Sequence, residues 1–350
     1  MMNVRCGPDS SGRSSLHLYV SVATVPGRQR SLERTVGSLL QQRRAAKRLF
    51  VVAPGAFTNR KPGTTSNPLS GRVNLSHLMR DAPANLEARV CELDDGPGTK
   101  LLCALPRVLE LAAQARAIDR SWLVVADDDR VYHDWALAKL EESICADAGA
   151  AGAHAYSFFT KGAWFPRARG ACVGPCECPS RLPGCHKHCC FSRMYLRSRS
   201  ELAGLHWLPA GTPPDLVLGQ GADLFAFPLG RLLEARRFFT CAVGLDRRIS
   251  RHDDFWISAY LKLVHNMSIV RVPGMRDHSV DGAGSSVSVS YVKNATRSGA
   301  TGRIDRRARR KERLHDEKIA LHLSTEWPDV LAACAARWDE LAGRCSAPTG

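Results

Sequence analysis

In the first half of this chain, short apolar runs typical of buried strands alternate with segments of helical periodicity. The predicted strands are residues 17–24, 49–53, 88–93 and 122–126, and the helical segments between them are residues 32–40 and 101–112. Strands that alternate with helices in this way form a mostly parallel sheet with helices on both faces. We therefore predict an α/β fold, and we expect ligands to bind outside the carboxyl ends of its strands.

The second half of the chain is less regular. Its predicted helices are residues 135–144 and 255–264, and its predicted strands are residues 150–158, 224–227 and 268–272. No apolar run approaches the roughly 20 residues that a membrane-spanning helix needs, so no such segment is expected. We predict a polar N-terminal segment at residues 1–15 and a basic C-terminal extension at residues 297–350 that contains a final helix.

The charge of the chain narrows the class of partner. Its 350 residues include 49 Lys and Arg against 34 Asp and Glu, a formal net charge of +15. This excess favours polyanionic partners such as nucleoside diphosphates, nucleic acid, acidic glycans or anionic lipid. A basic run at residues 303–313 lacks the interleaved aromatic side chains that stack on bases, so nucleic-acid binding is not expected.

Three consecutive aspartates, Asp127, Asp128 and Asp129, directly follow the predicted strand at residues 122–126. Carboxylates held this close repel one another, and a divalent cation is the simplest way to relieve the repulsion. A hard cation also suits the two phosphates of a nucleoside diphosphate, because it neutralises charge on a leaving group. The alternative is a solvated acidic turn.

The order of several motifs resembles the nucleotide-sugar glycosyltransferases of the GT-A type, over roughly residues 16–278. The motifs are Val20–Arg30 in the opening strand and helix, Gly96–Lys100, the triplet Asp127–Asp129, the Gly-rich stretch Gly219–Asp223 and the segment Asp253–Ile257. The aspartate triplet followed by the later acidic pair carries most of the resemblance. It implies a GT-A-like, Rossmann-related fold and sugar transfer from a nucleoside diphosphate donor, with a UDP-sugar expected, to a glycan or protein acceptor.

The resemblance also assigns roles to the donor side of the site. Asp127 and Asp129 match the ends of the Asp-x-Asp motif, which coordinates Mn²⁺ or Mg²⁺, and His278 would add a metal ligand. Asp127 and Asp128 would contact the nucleotide. Lys100, Arg28 and Arg30 would contact its phosphates, or else they are solvated cations.

An acidic pair, Asp253 and Asp254, opens the predicted second-half helix. Enzymes of this type often place the catalytic base there, and we predict Asp254 as the base, with Asp253 orienting the acceptor. Inversion is expected because a base is available; retention would leave the pair an acceptor-positioning role. The alternative is two carboxylates that cap a helix N-terminus. Gly219, Gly221, Asp223 and Trp256 are the predicted acceptor contacts.

The resemblance implies one catalytic domain at residues 16–296. Its parts are a nucleotide-sugar half at 16–130, an acceptor half at 131–296 and a Cys-rich insertion at about 167–191. Six of the 13 cysteines lie in that insertion, where they would form disulfides or bind zinc. Together with three Asn-x-Ser/Thr triplets they favour a Golgi or secretory compartment, whereas the absence of a signal peptide or anchor in the sequence favours the cytoplasm.

Two rival functions fit parts of the sequence. A sugar-nucleotide pyrophosphorylase would share the sheet and the metal, but Val25–Arg28 stands where its Gly-rich loop would follow the first strand. A non-enzymatic binding protein, stapled by zinc or disulfides, would instead use the basic tail. In that case Asp129 would be dispensable and residues 306–313 essential.

Overall fold

A seven-stranded sheet organises the computed structural model, which describes residues 16–57, 73–80, 82–147, 154–158, 160–163, 216–219, 224–245, 249–250, 252–272, 286–288 and 334. The strands are β1 (His17–Ala23), β2 (Arg48–Pro54), β3 (Leu86–Cys91), β4 (Ser121–Asp127), β5 (Arg130–Tyr132), β6 (His154–Ser157), β7 (Thr160–Ala163), β8 (Leu216–Gly219), β9 (Phe225–Pro228), β10 (Ser268–Arg271) and β11 (Ser286–Ser288). The helices are α1 (Gln29–Leu40), α2 (Ser76–Met79), α3 (Thr99–Leu102), α4 (Leu105–Gln114), α5 (Ala136–Ala146), α6 (Ala235–Leu245) and α7 (Asp253–His265).

The predicted α/β fold with a mostly parallel sheet is confirmed. The strand order is β10-β6-β9-β4-β1-β2-β3, and β9 alone runs antiparallel to its two neighbours in this sheet. The small pairs β5–β11 and β7–β8 are antiparallel and lie outside the main sheet. The sequence analysis did not predict these short pairs or the helix α6.

Helices cover both faces of the sheet, because the central strands are apolar on both sides. In β1, Leu18, Val20 and Val22 pack into one core with α1 and α5, while Tyr19 points into a second core with α3, α4, α6 and α7. In β4, Trp122 and Leu123 divide between the two cores in the same way. Near-continuous apolar strands of this kind are typical of parallel strands buried on both faces.

The loop between β3 and α4 is held at both ends. A disulfide joins Cys91, the last residue of β3, to Cys103, which follows α3. Between them, the backbone N–H of Gly96 donates to Asp94 Oδ1 at 3.0 Å. The predicted helix at 101–112 is two helices in the structure, since α3 ends at Leu102 and Pro106 lies in the first turn of α4.

A disulfide joins the predicted C-terminal extension to α6. Cys334, within the predicted C-terminal extension, forms a disulfide with Cys241 of α6. The Cys-rich insertion at about 167–191 and the basic run at 303–313 lie outside the described residues. Within the part of the chain that the structure describes, none of the helices has the length and apolarity to cross a membrane.

Gly96 should be essential to the β3–α4 loop. Its φ is +61°, and a Cβ there would lie 2.3 Å from the carbonyl oxygen of Ser250. We expect Gly96→Ala to lower the free energy of unfolding by about 2 kcal/mol or more, measured by urea denaturation. Gly37→Ala is the matched control, because nothing lies within 4 Å of a Cβ at that helical position. The control should gain up to about 1 kcal/mol; equal stability of the two variants would contradict the assignment.

Candidate functional site

The carboxyl ends of β1 and β4 meet at one point of the sheet edge. Ala23 and Asp127 are register partners, so the residues that follow both strands emerge side by side. The chain order also reverses here, because β2 and β3 lie on one side of β1 and β4 lies on the other. Ligands of open α/β sheets bind in the crevice at such a reversal.

Lys100 links the two acidic segments that the sequence analysis singled out. Its Nζ lies 2.7 Å from Asp127 Oδ1, at the end of β4, and 2.7 Å from Asp253 Oδ2, at the start of α7. The Lys100 side chain is only 5% exposed. Burial alone would lower the pKa of this ammonium, but the carboxylates of Asp127, Asp253 and Asp254 outweigh it and raise the pKa well above its ordinary value. Lys100 is therefore a permanent buried cation, not the solvated one considered above.

Asp128, the middle aspartate, points into the protein. Thr24 Oγ1 donates to Asp128 Oδ2 at 2.7 Å, and the Arg28 guanidinium donates to Oδ1. Burial raises the pKa of Asp128 despite the charge of Arg28 and the hydrogen bond from Thr24. This carboxylate ties the end of β4 to the end of β1, which is a structural contribution to the site.

Asp127 and Asp129, which flank Asp128 in the sequence, face outward. Each side chain is 36% exposed, and Arg28 Nη1 lies 3.8 Å from Asp129 Oδ2. Burial would raise the pKa of Asp127, but the Lys100 ammonium and the Arg28 guanidinium outweigh it and hold that pKa below its usual range. Tyr132 supports the turn, since its hydroxyl accepts the backbone N–H of Asp127 at 3.0 Å. The turn thus presents two carboxylates to the crevice.

Lys100 and Ser258 hold the acidic pair at the start of α7 in place. Asp253 is nearly buried and faces Lys100, whereas Asp254 is partly exposed. The hydroxyl of Ser258 donates to the Asp254 carbonyl at 2.6 Å and accepts the backbone N–H of Gly219 at 3.1 Å. One buried serine therefore connects the helix that carries the predicted base to the end of β8.

Two predicted acceptor contacts have packing roles in the structure. Trp256 is fully buried, its ring 4.9 Å from that of Phe239, so its side chain lies in the core and offers no surface to an acceptor. Gly219 packs against the ring of Phe225, where a Cβ would lie 2.4 Å from the nearest ring carbon. This close approach requires a glycine whether or not an acceptor binds beside it.

Arg30 does not join the cluster. It lies exposed in the first turn of α1. Gly221, Asp223 and His278 lie outside the described residues.

Several residues at the site were missed by the sequence analysis. Asp95 is buried and pairs with Arg236 Nη1 at 2.6 Å, which joins the β3–α4 loop to α6. Thr24, Tyr132 and Ser258 were missed as well. The adjacent pair Asp94 and Asp95, directly before the Gly-Pro-Gly-Thr-Lys segment, was the available signal for the first of them.

The residues at the turn fit a divalent cation on the chemistry of their donors. Asp127 and Asp129 supply carboxylate oxygens, the ligands preferred by Mg²⁺ and Mn²⁺, and the Lys100 ammonium shows that this position attracts a cation. Across the described ranges, no cluster of three or more Asp, Glu, His or Cys side chains is arranged to hold a metal. A cation here would need further ligands from substrate phosphates and water.

No protein-family model and no curated protein matches the chain. Among solved structures, TarS from S. aureus (residues 1–349) is similar at 17% identity over 44% of this chain and 38% of the TarS chain, with a TM-score of 0.26. The mannosyltransferase PcManGT from Pyrobaculum calidifontis, in complex with GDP-Man and Mn²⁺, is similar at 14% identity over 100% of this chain and 80% of its own, with a TM-score of 0.38. At these identities and TM-scores, neither similarity indicates a shared function.

The pKa values of Asp127 and Asp128 shift in opposite directions, so the two residues should respond differently to substitution by asparagine. A depressed pKa in the folded state stabilises the protein above the ordinary carboxyl pKa, and this contribution is lost as pH falls through the folded value. Asp127→Asn should therefore lower the free energy of unfolding at pH 7 by about 1 kcal/mol, a modest loss because solvent partly screens the half-exposed Asp127 carboxylate.

A raised pKa means that folding favours the neutral form, which asparagine mimics. Asp128→Asn should therefore stay within about 0.5 kcal/mol of the parent protein at pH 7, measured by the same urea titration. A larger loss from Asp128→Asn than from Asp127→Asn would contradict the assignment of the two carboxylates.

Proposed function

We propose that this protein is a GT-A-like glycosyltransferase that moves a sugar from a nucleoside diphosphate donor to an acceptor hydroxyl. The observation that carries the proposal is the contact of one buried ammonium, Lys100, with both Asp127 and Asp253. This contact brings the aspartate turn and the acidic helix start, far apart in sequence, to one place at the chain reversal of the sheet. A leaving-group site and a base must lie that close for direct transfer.

The donor side would hold the diphosphate. Asp127 and Asp129 would bind Mn²⁺ or Mg²⁺, which when bound would neutralise the charge that develops on the departing diphosphate. Arg28 lies beside both Asp128 and Asp129, so its guanidinium adds a positive charge at the same edge. Lys100 acts through the two carboxylates it holds, because its own side chain is enclosed.

The acceptor side would supply the base. Asp254 would take the proton from the attacking hydroxyl, because it is the more exposed member of the acidic pair and lies at a helix N-terminus. Asp253, engaged with Lys100, would fix the orientation of the helix start. With the base and the leaving group on separate elements, direct displacement would invert the anomeric centre.

The disulfides support an oxidising compartment for this enzyme. Cys91–Cys103 and Cys241–Cys334 are formed, and Cys145 is also disulfide-bonded. Disulfides form and persist in secreted and lumenal proteins and are rare in the cytosol. We therefore place the activity in the secretory pathway as part of the proposal.

Calorimetric titration with UDP, GDP and CMP, with and without Mn²⁺, tests the donor site. We expect one nucleoside diphosphate, UDP by the resemblance, to bind only with Mn²⁺. Asp129→Asn should weaken this binding by about 10-fold or more, which is about 1.4 kcal/mol.

Asp119→Asn is the matched control for that titration. Asp119 is exposed, immediately before the amino end of β4, so the same charge is removed at the opposite edge of the sheet. It should bind as the parent protein does. Absence of Mn²⁺-dependent binding in the folded parent, or equal losses from the two variants, would refute the proposed site.

Asp254→Asn tests the base. It should retain Mn²⁺-dependent nucleotide binding and lose about 10²- to 10⁴-fold in the rate of sugar transfer from the donor that the titration identifies, because the amide cannot accept the proton. The measurement is single-turnover transfer, followed by release of the nucleoside diphosphate. A transfer rate unchanged by Asp254→Asn would remove this residue from the role of base.

A further inference from the structure

The Lys100 ammonium occupies the position beside Asp127 that a divalent cation would seek. It donates to Asp127 Oδ1 at 2.7 Å and its side chain is only 5% exposed. An aspartate has two carboxylate oxygens, and one of those of Asp127 is already engaged by a cation of the protein.

The position of Lys100 is built into the surrounding loop. The Cys91–Cys103 disulfide closes the segment that carries it, and the Thr99 hydroxyl accepts the backbone N–H of Asp95 at 3.1 Å. Gly98 lies so close to Trp256 that a Cβ there would be 3.1 Å from the indole ring. Lys100 is thus held in place by its loop as well as by its ion pairs, so moving its side chain away from Asp127 would cost free energy.

A basic side chain of the protein also lies against the other two aspartates of the turn. Arg28 contacts Asp128 and lies 3.8 Å from Asp129 Oδ2, so two basic side chains serve the three consecutive aspartates. Among the residues that the structure describes, no three metal-ligating side chains converge. Two partly engaged carboxylates are a weak site for a free metal ion, since Mg²⁺ and Mn²⁺ take most other ligands from water or phosphate.

We propose that Lys100 is a resident cation that competes with the divalent metal for Asp127, so that the protein takes up the metal only together with a nucleoside diphosphate. The proposal rests on the proposed function for the identity of the nucleotide. Its own content is narrower: Lys100 weakens metal binding to the nucleotide-free protein. Phosphate oxygens would then supply the ligands that the carboxylates do not.

The test uses Mn²⁺ alone with the nucleotide-free protein and measures binding by the loss of the paramagnetic resonance signal of free Mn²⁺. We expect Lys100→Met to bind Mn²⁺ about 10-fold more tightly than the parent protein, and Asp127→Asn in that background to abolish the gain. Lys139→Met is the control, because Lys139 lies on α5 and pairs with Glu142 away from the site. It should change the affinity by less than about two-fold.

A second variant separates competition from net charge. Lys100→Met combined with Asp253→Asn removes one positive and one negative charge, so its net charge equals that of the parent protein. It also removes the Asp253 carboxylate that Lys100→Met alone would leave without its lysine partner, so the double variant should fold even if Lys100→Met does not. We expect this double variant to bind Mn²⁺ more tightly than the parent protein as well.

The outcomes are decisive in each direction. Tighter binding in both Lys100 variants, with no change in Lys139→Met, supports the resident cation. Binding no tighter than in the parent protein, or an equal gain in the Lys139 control, overturns it, and so does tight Mn²⁺ binding by the parent protein alone. Because no nucleotide is present, this result is independent of the nucleotide titration that tests the proposed function.

Discussion

The buried ion contacts of Lys100 are the interaction on which the site depends. An ammonium taken out of water carries a large desolvation cost, and only well-placed opposite charges offset it. Asp127 and Asp253, each 2.7 Å from Nζ, provide that compensation from two different elements. Removing either side of this contact would leave a charge in a poorly solvated place. Lys100 consequently links the turn after β4 to the start of α7 by charge.

The sheet determines where this contact can form. The parallel pairing of β1 with β4 places Thr24 and Arg28 beside the aspartate turn, where they bind Asp128. The chain order reverses at this pair of strands, and open α/β sheets form their ligand crevice at such a reversal. The β3–α4 loop, closed by its disulfide, then brings Lys100 in from the neighbouring side. A hydrophobic scaffold thus creates a polar crevice whose charges are set by a few residues.

Much of this architecture could be predicted from the sequence, and the rest depended on tertiary contacts. The strands at the centre were predictable because they are apolar on both faces, and the aspartate turn was predictable because it ends such a strand. The strand predicted at 88–93 is Leu86–Cys91 in the structure. The helix predicted at 101–112 is divided in two, with Pro106 in the first turn of α4. The antiparallel direction of β9 could not be predicted, because a four-residue apolar run looks the same for either strand direction.

The sequence indicated residues of the site better than it indicated their roles. Lys100 was found as a cation near the phosphates, but its burial between two carboxylates depends on elements remote in sequence. Trp256 was expected as an acceptor contact, whereas its side chain lies in the core against Phe239. Ser258 gave no signal, because a single serine within an apolar helix becomes informative only when its partners on β8 are known.

The proposed function requires that the crevice at Asp127 and Asp129 hold the diphosphate of the donor with a divalent cation. The most direct measurement is a crystal structure of the protein with Mn²⁺ and the nucleoside diphosphate, with anomalous diffraction recorded at the manganese edge. We expect one strong anomalous peak in contact with both carboxylates and with phosphate oxygens. A nucleotide bound elsewhere on the sheet, or an anomalous map with no peak at the aspartate turn, would contradict it.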